Sequence, residues 1–533
     1  MRYRFAAVVF AVLTACAIPG PAAVPGVLEP LDAEALQDTL TELIATHPTA
    51  KRTNVALKVT DLETGEVLFD QNSDKLYTPA SNLKIYTSAA ALDLLGPEYR
   101  WTTKVLTHDS TIDGVMSESF YLRGGGDPMF SNEELSQVAA ELLAHPDMKK
   151  IEGVFYIETR EGWEELPLKG PGWMWDDDPD YYNMSVQSMM MDFNVITYEI
   201  APGSSEGELV EIQPNPEIYH PKNLKRGNPY DIVGSRTRSD GKSNASIDRQ
   251  PFNENFLSTG FMAVGVEPKA VKVTMHDPSD WIERTFVQIL LDNEAGFDYE
   301  PSVSRYRDAL NGSNSGGGGG GGSIFGPDDA SERTLVEYRG KTNAEAVRHF
   351  LKVSENAVGE MLLLTLSEKF GIGEKVSWPS GAKVISDWLV NEAGLEEGSF
   401  RLVDGSGLSR YNLISADSSI RLLDYMKNES EHFEPFFDGL PIYKVALPKD
   451  AAAKWGGVPI AEFDAERVFA KPGGMSGVST ISGYVQTLDG RWLAFSLLGN
   501  GYIGSSVPVR DLRNQVWTTL VQYRSADVTV PAE

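Results

Sequence analysis

The sequence predicts a principal α/β (α+β) domain built from both ends of the chain and interrupted by two mostly β inserted domains. Three observations predict it. Strand patterns occur near both ends, helical patterns precede the second set, and the middle alternates short apolar runs with many Gly, Pro and Asn breaks. Strands from distant segments that close one sheet leave the intervening chain as an insertion. The composition of the 533 residues, 41% apolar and 23% charged, is that of an ordinary folded protein, and the length suits several domain-sized units. A net charge of -29, from 47 Lys and Arg against 76 Asp and Glu, repels phosphate backbones, so nucleic acid is not an expected partner.

Each element follows in order. Met1-Arg2-Tyr3-Arg4 and the apolar run 5–15 form a basic region and a core too short to span a bilayer, the pattern of a signal peptide. The only cysteine ends that run as Leu13-Thr14-Ala15-Cys16, which resembles a bacterial lipobox. The expectation is a lipoprotein-type signal over 1–16, an exported protein and a lipid anchor at Cys16; the alternative is a plain signal peptide cut near Ala22 or Ala23. With no further cysteine, neither a disulfide nor a cysteine-based metal site is expected. No later stretch reaches the roughly 18 apolar residues of a membrane span.

Val55-Ala56-Leu57-Lys58-Val59 and Val67-Leu68-Phe69, joined through Glu63-Thr64-Gly65-Glu66, predict a hairpin. Residues 81–95, apolar at Leu83, Ala89, Ala90, Leu92, Leu94 and Leu95 and stopped by Gly96-Pro97, predict a buried helix with Ser81 and Lys84 in its first turn. Phe120-Tyr121-Leu122 and Val271-Lys272-Val273 are strand runs of the middle, and the seven glycines 316–322 mark a flexible loop over 311–323. Helical patterns follow over 344–370, 381–392 and 415–427. Strands return at Val468-Phe469-Ala470, Gly483-Tyr484-Val485-Gln486-Thr487 and 492–498, the last two joined across Asp489-Gly490. The predicted boundaries are 27–102 plus 341–525 for the principal domain, 103–185 plus 311–340 for the first insertion and 186–310 for the second.

Ser81-Asn82-Leu83-Lys84 places a hydroxyl and an amine three residues apart on one helical face. A serine is a weak nucleophile until a neighbour takes its proton, and a lysine does so once desolvation lowers its pKa. Free N–H groups at the helix start favour a developing oxyanion. The pattern alone does not select Ser81, because Ser239-Asp240-Gly241-Lys242 and Ser380-Gly381-Ala382-Lys383 also fit, and a capping serine beside a surface lysine looks the same. Company selects it. Ser354-Glu355-Asn356 and Lys471-Pro472-Gly473 follow in the order of the S-x-x-K, S-D-N and K-T-G set. Ser354 is placed to relay a proton between Lys84 and a leaving amine, and Asn356 to position Lys84 or a substrate amide. Without that company, Ser354-Glu355-Asn356 reads as a polar break between helices. No H-E-x-x-H or G-x-S-x-G pattern occurs, so neither a zincin nor a Ser-His-Asp enzyme is expected; the expectation is a site without metal or cofactor.

Gly124-Gly125-Gly126-Asp127-Pro128, Gly172-Trp173-Met174-Trp175-Asp176-Asp177, Asp404-Gly405-Ser406-Gly407-Leu408-Ser409-Arg410 and Ser476-Gly477-Val478-Ser479 complete the set. With them the chain resembles the class C low-molecular-mass penicillin-binding proteins, the D-alanyl-D-alanine carboxypeptidase and endopeptidase family. The resemblance implies a penicillin-binding/beta-lactamase-like transpeptidase fold. It implies that Ser81 attacks the D-Ala-D-Ala carbonyl of peptidoglycan peptides, that Lys84, Ser354, Asn356 and Lys471 serve that attack, and that beta-lactams act as covalent inhibitors. It further implies an oxyanion hole at the amides of Ser81 and Gly474, and a side-chain pocket with Asp176 for an amine and Arg410 for a carboxylate. One departure matters. Lys471-Pro472-Gly473-Gly474 stands where the family reads Lys-Thr-Gly-Thr, so two hydroxyls that would hold a terminal carboxylate are missing. Proline is tolerated where its N–H would face an open groove, and Gly474 keeps its amide. Two outcomes follow as expectations: endopeptidase cleavage retained better than release of a terminal D-alanine, or a non-catalytic penicillin-binding lipoprotein. A beta-lactamase is disfavoured, because no motif points to a group that activates water.

Overall fold

The computed structural model describes residues 30–107, 115–116, 120–145, 150–151, 155–158, 162–163, 165–215, 235–241, 243–249, 256–275, 278–293, 332–371, 375–445 and 466–525. The signal segment with Cys16 and the glycine loop 311–323 lie outside them.

The first helix, α1 (Ala33–Thr46), starts at Asp32, whose carboxylate accepts from the Ala35 N–H at 2.9 Å, and it buries Leu36, Leu40 and Ile44. Strands β1 (Asn54–Asp61) and β2 (Val67–Gln71) form the predicted hairpin. Helix α2 (Lys84–Leu95) follows. Beyond the inserted middle come α3 (Asn343–Val353), α4 (Asn356–Phe370), α5 (Trp378–Asn391), α6 (Ala416–Asn428) and α7 (Phe433–Gly439). They are followed by β3 (Ile442–Lys444), β4 (Glu466–Met475), β5 (Val478–Gln486), β6 (Trp492–Asn500) and α8 (Val507–Leu520).

The principal sheet has the order β3-β4-β5-β6-β1-β2, with every pairing antiparallel. The chain ends meet in its centre, where β1 pairs with β6 from Asn54 opposite Asn500 to Asp61 opposite Leu493. Alternate strand residues bury on opposite faces. Leu57, Val59, Val468 and Ile481 pack with α1 and α8, whereas Ala56, Tyr484, Ala494 and Leu498 pack with the helical layer that contains α2, α4 and α5. At the turn after β1, buried Asp61 accepts from the Glu63 and Thr64 N–H groups and pairs with Arg491 at 3.0 Å.

In the middle, strands Arg100–Thr107, Phe120–Arg123, Phe155–Glu158 and Arg333–Thr342 form a four-stranded sheet, and Val195–Ala201, Glu211–Asn215 and Lys269–Thr274 a three-stranded one. Both sheets contribute to a single apolar cluster containing Val105, Leu122, Ile196 and Val273. Helices Asn132–Leu143 and Pro278–Asp292 also pack there, and the strand-and-break pattern did not suggest them. Ser131 and Glu134 cap the first reciprocally. Two further differences bear on the site. The helix expected from Ser81 begins as a 3-10 turn, Ala80–Leu83, and becomes α-helical only at Lys84. The helical pattern over 344–370 is broken between α3 and α4, because Ser354 takes a left-handed conformation (φ 69°).

Candidate active site

The site lies where the 3-10 turn, the α3–α4 break and the edge of β4 converge. Ala80 has φ 50°, an uncommon conformation for a residue with a Cβ, and it turns the chain so that Ser81 stands at the mouth of a cleft. The strand passes directly under this turn. A Cβ on Gly473 would lie 2.3 Å from Pro79 O and 2.7 Å from Asn82 N, so only glycine fits. Asn82 ties the two together, donating to Lys471 O at 2.7 Å and accepting from the Ser482 hydroxyl at 3.0 Å.

Lys84 is fully buried, with its Nζ 3.1 Å from Ser81 Oγ, 2.7 Å from Asn356 Oδ1 and 2.6 Å from Ser406 O. Asn356 Oδ1 and Ser406 O are acceptors only. A neutral amine must therefore give its two hydrogens to them and point its lone pair at Ser81. Burial lowers the Lys84 pKa to about 8, against the opposing pull of the Asp404, Glu360 and Glu355 carboxylates. Asn356 is itself held, donating its Nδ2 to Tyr182 O at 2.9 Å. Across the cleft, Lys471 Nζ donates to Ser354 Oγ at 2.9 Å, and burial together with the nearby Lys84 charge pushes its pKa well down.

The structure thus brings Ser81, Lys84, Ser354, Asn356 and Lys471 together. It also orients the Pro472-Gly474 edge. Ala470 N–H donates outward to Pro441 O, away from β5. Alternation then directs the N–H of Gly474 the same way, to the side of the cleft it lines with Ser81, and leaves Pro472 where no sheet donor is lost. Arg410 is exposed and donates to Ser476 O at 3.2 Å, at the cleft rim. Asp176 is exposed in the 3-10 turn Trp175–Asp177. Its neighbour Asp177 accepts from the hydroxyl of Tyr182, the residue that receives Asn356, so the turn stands beside the site. Of the two competing S-x-x-K patterns, Lys383 lies on α5 and pairs with Asp387 at 2.6 Å in solvent, while Lys242 lies outside the described residues.

Three residues escaped sequence reasoning. Ser406 supplies the carbonyl that completes the Lys84 shell. Buried Glu360 fixes that carbonyl by accepting from Ser406 N at 2.8 Å, Gly405 N at 3.2 Å and Trp378 Nε1 at 2.7 Å; burial, with the Asp404 charge second, pushes its pKa up. Asp404 folds the following loop by accepting from Gly407 N, Ser409 N, Asn412 Nδ2 and Trp173 Nε1. Gly407 (φ 87°) then packs against Ala80 O, where a Cβ would approach to 2.0 Å. The Asp404-Gly405-Ser406-Gly407 run was visible as a motif, but its work is backbone geometry, which residue identities do not display. Among the described residues no group of acidic, His or Cys side chains suits a metal ion, and no helix is long and apolar enough to cross a membrane.

Fold and site define a serine-type peptidase with the penicillin-binding architecture. The chain matches the D-Ala-D-Ala carboxypeptidase 3 (S13) family over residues 36–309 and 322–522, and it belongs to that family. It is 27% identical over 459 residues to a D-alanyl-D-alanine carboxypeptidase of an Actinomadura species, covering 84% of this chain and 77% of that protein. It is 22% identical over 454 residues to D-alanyl-D-alanine carboxypeptidase DacB of Haemophilus influenzae, covering 84% and 86%. The crystal structure of penicillin binding protein 4 from Haemophilus influenzae shares the fold at a TM-score of 0.69 and 19% identity, over 91% of this chain and 99% of that one.

Proposed function

We propose that the chain cleaves D-Ala-D-Ala-type bonds of peptidoglycan peptides, as carboxypeptidase or endopeptidase, through an acyl-enzyme on Ser81. The observation that carries this is the shell of Lys84: Asn356 Oδ1 and Ser406 O can only accept, so a neutral amine gives them its hydrogens and turns its lone pair to Ser81 Oγ. Lys84 takes the hydroxyl proton as Oγ bonds to the carbonyl carbon. The amides of Ser81 and Gly474 receive the oxyanion. Ser354, held by Lys471, gives its proton to the departing nitrogen as the C–N bond breaks and takes the one on Lys84; water then adds to the acyl carbon, and its proton returns through Lys84 to Ser81 Oγ as the ester bond breaks. The names of the curated relatives support the substrate class. Asp176 and Arg410 remain proposals for the pocket rim. Such a substrate lies outside the cytoplasm, which agrees with an exported chain; lipidation at Cys16 rests on the sequence alone.

Intact-mass measurement after incubation with benzylpenicillin tests the proposal. One adduct is expected on the wild-type chain and none on Ser81→Ala. Absence of an adduct on both would leave a non-catalytic wall-binding protein as the function.

A further inference from the structure

The cleft that opens at Ser81 has a volume of about 710 Å³ and continues past Gly474 to the first turns of α8. Among the described residues four cationic side chains line it, Lys352, Lys471, Arg510 and Arg513, and no carboxylate. That is a marked local inversion in a chain of net charge -29. Two of the four are committed. Lys471 donates to Ser354 and Lys352 to Leu440 O. The arginines are not. Among the described residues neither has a carboxylate partner or a side-chain hydrogen bond.

Their placement is costly as it stands. Arg510 and Arg513 lie three residues apart, hence on one face of α8. Arg513 is half-buried, its guanidinium 4.8 Å from the Trp517 ring centre and 5.8 Å from that of Tyr443, and its buried Nε has no hydrogen-bond partner. Burial and the Arg510 charge both push its pKa down. Two like charges held together without a counter-ion are relieved by an anion. Toward them β4 is also open at Gly474 among the described residues. Pro472 and Gly474 project to the same side of β4 as Val468 and Ala470, the side packed by α8, and a Cβ on Gly474 would meet nothing within 4 Å.

We infer that Arg510 and Arg513 form the receptor for the substrate carboxylate carried on the carbon next to the scissile nitrogen, in place of hydroxyls on β4. The inference rests on the proposed function, because it takes Ser81 as the point from which the substrate extends. The guanidinium forks suit a carboxylate bidentately, and the apolar walls of Tyr443 and Trp517 strengthen the attraction. Arg510 and Arg513 are thus substrate-binding residues distinct from Arg410, which lies at Ser476.

The test compares benzylpenicillin, which carries this carboxylate, with its methyl ester, which does not. Arg510→Ala and Arg513→Ala are expected to slow acylation by the free acid about tenfold or more each, leaving the ester within about twofold. Arg513→Lys, which keeps charge and bulk, is expected to recover part of the loss. A Gly474→Thr change in the Arg510→Ala background is expected to recover part as well, by supplying a hydroxyl. Equal slowing of acid and ester, or no slowing of either, would overturn the inference. Calorimetric binding of the acid to Ser81→Ala separates the two proposals. Arginine-dependent binding without any wild-type adduct would reject the nucleophile and keep the receptor, whereas an adduct with arginine-independent binding would do the reverse. Absence of both adduct and binding would reject both.

Discussion

The burial of Lys84 makes the pH dependence of acylation a sharp test. The amine is ordinarily protonated up to 10.5, but in its buried shell it gives up its proton at about 8. At pH 7 only about one-tenth of the chains hold a neutral Lys84, and at pH 9 about nine-tenths do. If Lys84 takes the Ser81 proton, the second-order rate of acylation by benzylpenicillin, followed by intact mass, must rise about eightfold to tenfold between those values and level off above them. Arg at position 84 cannot deprotonate in this range, so Lys84→Arg should lose roughly 10²–10⁴-fold in rate and the inflection with it. A profile that is flat or falls from pH 6.5 to 9 would refute Lys84 as proton acceptor. The same shift has a stability side. Burial favours the neutral amine, so the unfolded chain holds the proton more tightly between about 8 and 10.5. The penalty, roughly 3 kcal/mol, is present in full below about pH 8, shrinks as pH rises from there and is gone above 10.5. This group therefore works against the fold at neutral pH, the reverse of a salt-bridged lysine.

Two further outcomes follow from the packing. Gly473→Ala drives a methyl into Pro79 O and Asn82 N, both backbone, so the nucleophile turn must shift; acylation should fall on the order of a hundredfold in a chain whose circular dichroism is unchanged, and wild-type acylation would show that the turn adapts. Arg491→Ala leaves buried Asp61 without its cation and should lower stability to denaturant by about 3–5 kcal/mol; a loss below about 1 kcal/mol would mean that water reaches Asp61.

The elements that present a regular pattern were legible. The β1–β2 and β5–β6 hairpins carry turn residues between apolar runs, and their alternation also fixes which strand face meets which helices. The convergence of the three motifs was legible from their order. What the residue names did not display is the backbone. The left-handed Ser354 both ends α3 and presents the second motif, so the polar break and the functional motif proved to be one feature. Ser406 and Glu360 act through a carbonyl and two amides, groups that every residue possesses. The middle helix Pro278–Asp292 buries Trp281, Ile282, Phe286 and Leu290 against strands far away in sequence; these residues recur at helical spacing, a mark that a reading of the middle as mostly strand passes over.

The pairing of β1 with β6 also sets when the enzyme can exist. Asn82 waits for a partner 389 residues downstream, and Thr480 for one 401 residues upstream. Contacts of that range form late, because the loop between them must close first. Ser81 and Lys84 therefore leave the ribosome long before Lys471 and its strand join them. The chain has no working nucleophile until β4, β5 and β6 have been made and docked on β1, so a partly synthesised chain is an inert polypeptide rather than an active hydrolase.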